Sequence, residues 1–227
     1  MVISPPVITV DGPSGAGKST LCKALNKYLR WYILDSGTIY RVFALYILQN
    51  NVCIMSENHL ITLALNLDVY FFTYNNEIHV LLEGKDVSTI IRTEILGRIA
   101  SQIAVFPGVR EILLRYQRTM RKFPGLIANG RDMGTIVFPD ALIKIFLYAS
   151  FEERVRRRLF QLQQNGFNVD FQQILTTMKE RDYRDYYRNI SPLIPAHDAF
   201  ILNSTNISSK QIINKVFTYV DKILLLS

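Results

Sequence analysis

Nine consecutive residues, Gly12-Pro13-Ser14-Gly15-Ala16-Gly17-Lys18-Ser19-Thr20, contain the spacing G-x-x-x-x-G-K-S of a phosphate-binding loop. Each residue type in it suits phosphate. Glycines let successive backbone N–H groups turn toward one point and surround an anion. A helix that starts at the end of the loop adds its positive N-terminus. Lys18 is expected to reach the β- and γ-phosphates of a nucleoside triphosphate, and the Ser19 hydroxyl to ligate Mg²⁺. The competing interpretation is a glycine-rich turn that binds nothing, and the elements on either side argue against it. Val7–Val10 is a β-branched run, and Leu21, Leu25 and Leu29 recur every four residues, so the motif sits between a strand and a helix.

A triphosphate loop does not name a reaction. The guanine signature N-K-x-D is missing, since neither Asn26-Lys27 nor Asn214-Lys215 is followed by a correctly spaced aspartate, and D-x-x-G is also missing. These absences exclude a switch GTPase. The chain is short for a motor ATPase, which leaves a small phosphotransferase.

The remaining patterning gives the elements that must hold the loop. Residues 32–34 read as a second strand ending at Asp35-Ser36-Gly37, followed by helical stretches over 38–50 and around 57–66. Val69, Phe71 and Thr73, then Ile78, Val80 and Leu82, alternate on either side of Asn75-Asn76, which predicts a hairpin with its turn there. Helices are expected over 94–105 and from Val109 to Met120, separated at Pro107-Gly108. Residues 126–128, 143–148 and 199–202 read as strands. A long basic helix broken at Gly166 follows the strand at 143–148, and a last helix carries Ile212, Ile213, Val216, Val220 and Ile223 inward. Strands alternating with helices predict a parallel sheet covered on both faces. The expected fold is an α/β phosphate-loop NTPase with a five-stranded parallel sheet, a small β-containing insertion and an arginine-rich lid.

Composition sets the outer limits. The chain has 227 residues, 49% of them hydrophobic and 20% charged, enough to bury a sizeable core. No apolar run approaches the roughly 18 residues of a membrane span, and MVISPPVITV at the start has no basic region followed by a long apolar one. Two cysteines, Cys22 and Cys53, exclude a disulfide scaffold and fit a reducing cytoplasm. The three histidines show no metal-ligand spacing. A net charge of +7 favours anionic partners without choosing among them. The arginine runs at 154–158 and 181–188 read, by composition alone, as solvated helix faces.

Four segments taken in order carry a more specific resemblance. GPSGAGKST at 12–20, LDSGTIYR at Leu34–Arg41, NGRDMGTIVFPDA at Asn129–Ala141 and ERDYRDYYR at Glu180–Arg188 together resemble the bacterial cytidylate kinase family. The likeness covers nearly the whole chain and includes the hairpin insertion. It implies a single domain over 1–227, with a core of about 1–62 and 103–227, an acceptor-binding insertion of about 63–102 and a lid of about 150–168. It also implies ATP and Mg²⁺ as cofactors, CMP and dCMP as acceptors, no nucleic-acid or membrane partner, and a cytoplasmic monomer. The alternatives are a kinase for another small acceptor such as UMP or shikimate, and a non-catalytic nucleic-acid-binding protein that uses the positive charge.

The residues suit such a reaction on their own terms. A nucleoside monophosphate brings two negative charges that must lie beside the triphosphate, and bidentate arginines meet that demand. Arg41, Arg131, Arg181 and Arg188 are the candidates. Arg131 follows a buried strand, and strand C-terminal ends line the ligand crevice in such sheets. Ser36 follows the second strand, where a helix cap and a ligand contact are both open, and Asp132 could cap a turn or pair with arginine. The resemblance goes further. It places Ser36 and Asp132 on the acceptor sugar, Ser101, Arg110, Asp185 and Arg188 around the cytosine, and Arg41, Arg131 and Arg181 on phosphate. It makes Lys18, Arg131, Asp132 and Arg181 the catalytic set, and Gly12 to Thr20 with Arg154 and Arg157 the ATP-binding set. Tyr40 is open between packing on the acceptor and lying in the core. One position departs from the family: Asn129 stands where an aspartate usually precedes Gly-Arg-Asp, so a neutral amide replaces a carboxylate near the metal.

Overall fold

The computed structural model describes residues 4–74, 77–164, 166 and 170–225. The first strand, β1 (Val7–Asp11), is buried at every position, as its unbroken run of apolar and β-branched residues requires. The helix α1 (Lys18–Leu29) follows directly after the phosphate loop. It buries Leu21, Cys22 and Leu25, the stripe seen in the sequence, and stops at Arg30, whose backbone turns left-handed and donates to the Asn26 carbonyl. The strand β2 (Tyr32–Asp35) comes next.

β6 (Leu126–Gly130), β7 (Ile143–Tyr148) and β8 (Phe200–Asn203) complete a five-stranded sheet in the order β2-β6-β1-β7-β8. β1 runs parallel to both β6 and β7, and β7 parallel to β8. The chain therefore leaves β1 toward one edge and later crosses to the other, which puts a topological switch beside the carboxyl end of β1, the place where open α/β sheets bind ligands. The register Asp11↔Gly130 brings the base of the phosphate loop level with the start of Gly130-Arg131-Asp132. Ile8, Val10, Ile127, Ile145 and Leu147 pack with Leu21 and Leu25 of α1 and with Val216 and Val220 of α8 (Ser209–Leu224) into the core.

The basic stretch folds as two helices, α6 (Phe151–Gln164) and α7 (Phe171–Tyr187), packed through Val155, Leu162, Ile174 and Met178. Gly166 has φ 77°, a left-handed conformation that ends the first helix as expected. Residues 165, 167 and 168 of the expected lid lie outside the described residues. So does the proposed turn at Asn75-Asn76.

The described chain divides into two units, one made of Met1–Leu34 with Met120–Ser227 and the other of Asp35–Thr119. The second contains α2 (Ser36–Gln49), α3 (Glu57–Leu65), α4 (Glu94–Ile103) and α5 (Pro107–Thr119). α2 is apolar almost throughout and correspondingly buried from Val42 to Ile47. The predicted hairpin is present: β3 (Val69–Tyr74) pairs antiparallel with β4 (Glu77–Leu82). A two-residue strand, β5 (Lys85–Asp86), adds to β4, and is too short to show any alternation in sequence. Among the described residues no helix is long and apolar enough to cross a membrane.

Candidate active site

The phosphate loop leaves β1 at Gly12, whose φ of 144° is barred to most side chains. A Cβ there would overlap the Leu147 carbonyl of β7, so the loop can lie this close to the sheet only with glycine. Pro13 to Gly17 carry the loop to α1, and Gly17 caps that helix with left-handed backbone. Lys18 is 6% exposed, and its Nζ donates to the Pro13 carbonyl at 2.7 Å, which folds the ammonium back over the loop. On the neighbouring strand Asn129 points its Nδ2 at Ser19 Oγ, 3.4 Å away, as the register of β1 and β6 allows.

The other side of the loop is held by α6 and the end of β8. The Ser14 carbonyl accepts from Arg154 Nη1 at 3.1 Å, and the Ala16 carbonyl accepts from Ser204 Oγ at 3.0 Å and Arg157 Nη1 at 3.3 Å. In a trans peptide the C=O and the next N–H point in opposite directions. Bonding these carbonyls outward therefore aims the N–H groups of Gly15 and Gly17 to the opposite side, as anion binding requires.

Past β6, a second group of charges gathers in the same unit. Arg131 Nε donates to Asp185 Oδ2 at 2.6 Å. Arg188 at the end of α7 donates through Nε to the Ser191 carbonyl at 2.6 Å and lies 3.8 Å from Asp132 Oδ1. Of the two uses open to Asp132, pairing with arginine is the one realised; its side chain makes no capping bond to the π-helical turn at Met133–Val137. Burial pushes the Asp185 carboxyl up, but Arg131, Arg181 and Arg188 together outweigh it and hold the group below its ordinary range. Asp185 is thus ionised and surrounded by cations at neutral pH.

Asp11 was not foreseen as a site residue. It is 5% exposed, and its two carboxylate oxygens accept the backbone N–H groups of Met133 at 2.9 Å and Gly134 at 2.8 Å. One side chain at the root of the phosphate loop thereby fixes the turn that follows Arg131 and Asp132. Burial, and secondarily the nearby Asp132, push Asp11 up to about 6, against the pull of those two N–H groups and Lys18. Its folded value lies above its unfolded one of 3.8. Between these values the unfolded chain gives up the Asp11 proton and the folded chain keeps it, so stability falls as pH rises through this window and is level above it. Asp11→Asn removes that contribution. The stability advantage of the wild type over Asp11→Asn should therefore shrink by about 2 kcal/mol between about pH 4 and about pH 7. Urea unfolding of both proteins at the two pH values measures this, and a difference independent of pH would contradict it.

Within the second unit, Asp35 rather than Ser36 caps α2, its carboxylate accepting from the Thr38 N–H at 3.1 Å. The capping role that was open for Ser36 therefore goes to its neighbour, and Ser36 is buried in the first turn. Tyr40 is buried on the same helix. Arg41 Nη1 donates to the carbonyls of Ile91 and Thr93, each at 2.8 Å, and its guanidinium lies over Gly97, where a Cβ would collide with it. Ser101 is buried on α4, and Arg110 is buried on α5 with its Nη1 on the Ala104 carbonyl at 3.1 Å.

Residues 8–222 match the cytidylate kinase family. The chain belongs to the cytidylate kinase family. It is similar to the cytidylate kinase of Proteus mirabilis, 60% identical over 223 residues that cover 98% of this chain and 99% of that protein. It is also similar to the cytidylate kinase of Serratia proteamaculans, 58% identical over 226 residues covering 100% of this chain and 99% of that one. A crystal structure of an uncharacterized protein from Eubacterium ventriosum shares the fold, with a TM-score of 0.51 at 12% identity over 96% of this chain and 98% of that one. Family membership favours the cytidylate reading over the UMP, shikimate and nucleic-acid-binding alternatives.

Sequence reasoning missed Asp11, Asp182 and Ser204. Only Asp11 carried a readable signal, a lone acid closing a run of four buried apolar and β-branched residues. Asp182 and Ser204 act on groups 28 and 188 residues away, and no local pattern reports such pairs.

Proposed function

We propose that this chain transfers the γ-phosphoryl group of ATP to CMP or dCMP, giving ADP and CDP or dCDP, and that it does so as a cytoplasmic monomer. The observation that carries this reading is the placing, in one unit, of a phosphate loop on β1 and of the Arg131–Asp185 pair beyond β6, level with each other through Asp11↔Gly130. Gly12 to Thr20 surround the donor phosphates, with Arg154 and Arg157 supporting the loop. Lys18, Arg131 and Arg181 place positive charge where the transferring group gathers negative charge, which is the main requirement of phosphoryl transfer. Asp132 and Ser36 contact the acceptor sugar, Arg41 its phosphate, and Ser101, Arg110, Asp185 and Arg188 its base, with Tyr40 packing beside it.

The residues fit Mg²⁺. Among the described residues no group of three or more His, Cys, Asp or Glu side chains could hold a metal unaided. Mg²⁺ in such sites takes one or two protein oxygens and completes its shell with phosphates and waters. The Ser19 hydroxyl is such an oxygen, and the metal, when bound, neutralises charge on the β- and γ-phosphates. Asn129, beside Ser19, offers an amide where a carboxylate would add charge. Asn129→Asp should therefore lower the free Mg²⁺ that gives half-maximal rate at saturating ATP and CMP. An unchanged Mg²⁺ curve would assign Asn129 to the geometry of the turn before Arg131 instead.

The reading itself is tested by coupled ADP release with ATP, Mg²⁺ and each nucleoside monophosphate in turn. Cytosine offers an N4 donor where uracil has a carbonyl, and a buried carboxylate such as Asp185 accepts from the first and repels the second. Unpaired buried polar edges cost about 1–3 kcal/mol each, so CMP and dCMP should exceed UMP about tenfold or more in kcat/KM. Equal efficiency with UMP would refute this account of the base site.

A further inference from the structure

Arg154 is the more deeply buried of the two arginines behind the phosphate loop. It is 4% exposed, and all three of its nitrogens donate inward. Nε reaches the Ala149 carbonyl at 3.2 Å and Nη1 the Ser14 carbonyl at 3.1 Å. Nη1 and Nη2 also fork onto Asp182 Oδ1 and Oδ2 at 3.1 and 2.6 Å. There is no slack in this arrangement. A Cβ on Gly15 would already stand 3.1 Å from both the Cβ and the carbonyl oxygen of Arg154, so the loop rests directly on the first turns of α6. Asp182 sits on α7, next to Arg181 and one helical turn before Asp185. Its carboxylate is the acid that matches the buried Arg154 charge. A bidentate pair of this kind fixes orientation as well as distance.

We propose that Asp182 is a positioning residue that couples the two nucleotide sites. Through Arg154 it joins the backbone of the phosphate loop to the helix that bears Arg181 and Asp185, so filling one site changes affinity at the other. The inference rests on the kinase reading above, and it assigns Asp182 no contact with either nucleotide. Any shift of the Ser14 peptide as the loop settles around triphosphate is passed to Arg154 and, through Asp182, to the turn of α7 that faces Arg131. The coupling must be reciprocal, since it is a free energy shared by the two binding events.

The test is calorimetric titration of the full-length chain with a non-hydrolysable ATP analogue, with and without saturating CMP. In the wild type CMP should shift the analogue's Kd by about fivefold or more. In Asp182→Asn, which keeps the shape and removes the charge, the ratio should fall to about twofold or less, while the Kd for CMP alone changes much less than the ratio does. A role in stability alone would lower the melting temperature and leave the ratio intact. Should Asp182→Asn be unfolded at the assay temperature, Arg154→Lys takes its place, since lysine keeps the charge but cannot span Ser14 and both carboxylate oxygens at once. A wild-type ratio near one, or a ratio retained in the variant, overturns the proposal. A wild type that fails to phosphorylate CMP removes instead the reading beneath it, and the acceptor assay shows which of the two has failed.

Discussion

Lys18→Ala should lower turnover by at least about two orders of magnitude while leaving the protein folded. The ammonium is buried at the start of α1 and held 2.7 Å from the Pro13 carbonyl, poised over the centre of the phosphate loop. Its charge is worth most when negative charge on the transferring group is greatest, which happens in the transition state. Removing it should therefore depress kcat more than it raises KM for ATP. The structural loss is small by comparison, because the hydrogen bond to the Pro13 carbonyl is worth about 1 kcal/mol and alanine is a good helix former. Steady-state kinetics beside a thermal melt separate the two effects. Wild-type turnover in a folded Lys18→Ala protein would end the assignment of this loop to catalysis.

The second large effect is expected at Asp185. Its carboxylate bonds Arg131 at 2.6 Å and also feels Arg181 and Arg188, so one buried acid lies among three guanidiniums. Asp185→Asn keeps the volume but removes the charge. Losing one partner of a buried, hydrogen-bonded charge pair costs about 2–5 kcal/mol, much of it from the charge left behind. At about 3 kcal/mol, kcat/KM for CMP should fall by about two orders of magnitude. The discrimination against UMP should weaken in parallel, because the acceptor for the cytosine amino group is altered. The pH dependence has a definite sign. The folded pKa of Asp185 is depressed, so its contribution to stability is present above the unfolded value and is lost as pH falls through the folded one. Near neutral pH the wild type keeps the whole contribution, and Asp185→Asn should melt lower there. A variant with wild-type kcat/KM for CMP and unchanged selectivity would remove Asp185 from the acceptor site.

How much of this could be read from the chain differs by residue. The phosphate loop was legible because its residues are consecutive and its chemistry is carried by spacing. The strands β1, β6 and β7 were legible because burial on both faces leaves largely apolar runs, interrupted in β7 by Lys144, and β3 with β4 because alternation survives without any knowledge of partners. β5 was not, since two residues hold no period. By patterning alone Arg154 and Arg157 were visible only as a basic run, and the family resemblance assigned them to ATP without saying what they touch. Their engagement with the Ser14 and Ala16 carbonyls, 140 and 141 residues earlier, depends on where α6 packs. Ser36 and Asp35 show the limit of local reasoning at its narrowest: both can cap a helix, and one residue decides which of them does.

The bond between Ser204 and the Ala16 carbonyl has a consequence for synthesis. Part of the backing of the phosphate loop is made long after the loop itself, at the residue that follows β8, 188 positions later. Arg157 reaches the same carbonyl and also donates to the Ser204 carbonyl at 2.6 Å, so the late segment completes a clasp rather than adding a lone contact. A nascent chain still lacking β8 holds the Ala16 peptide by Arg157 alone. Ribosome-bound intermediates should therefore bind ATP more weakly until β8 and Ser204 have emerged, which nucleotide binding to stalled chains of increasing length would show.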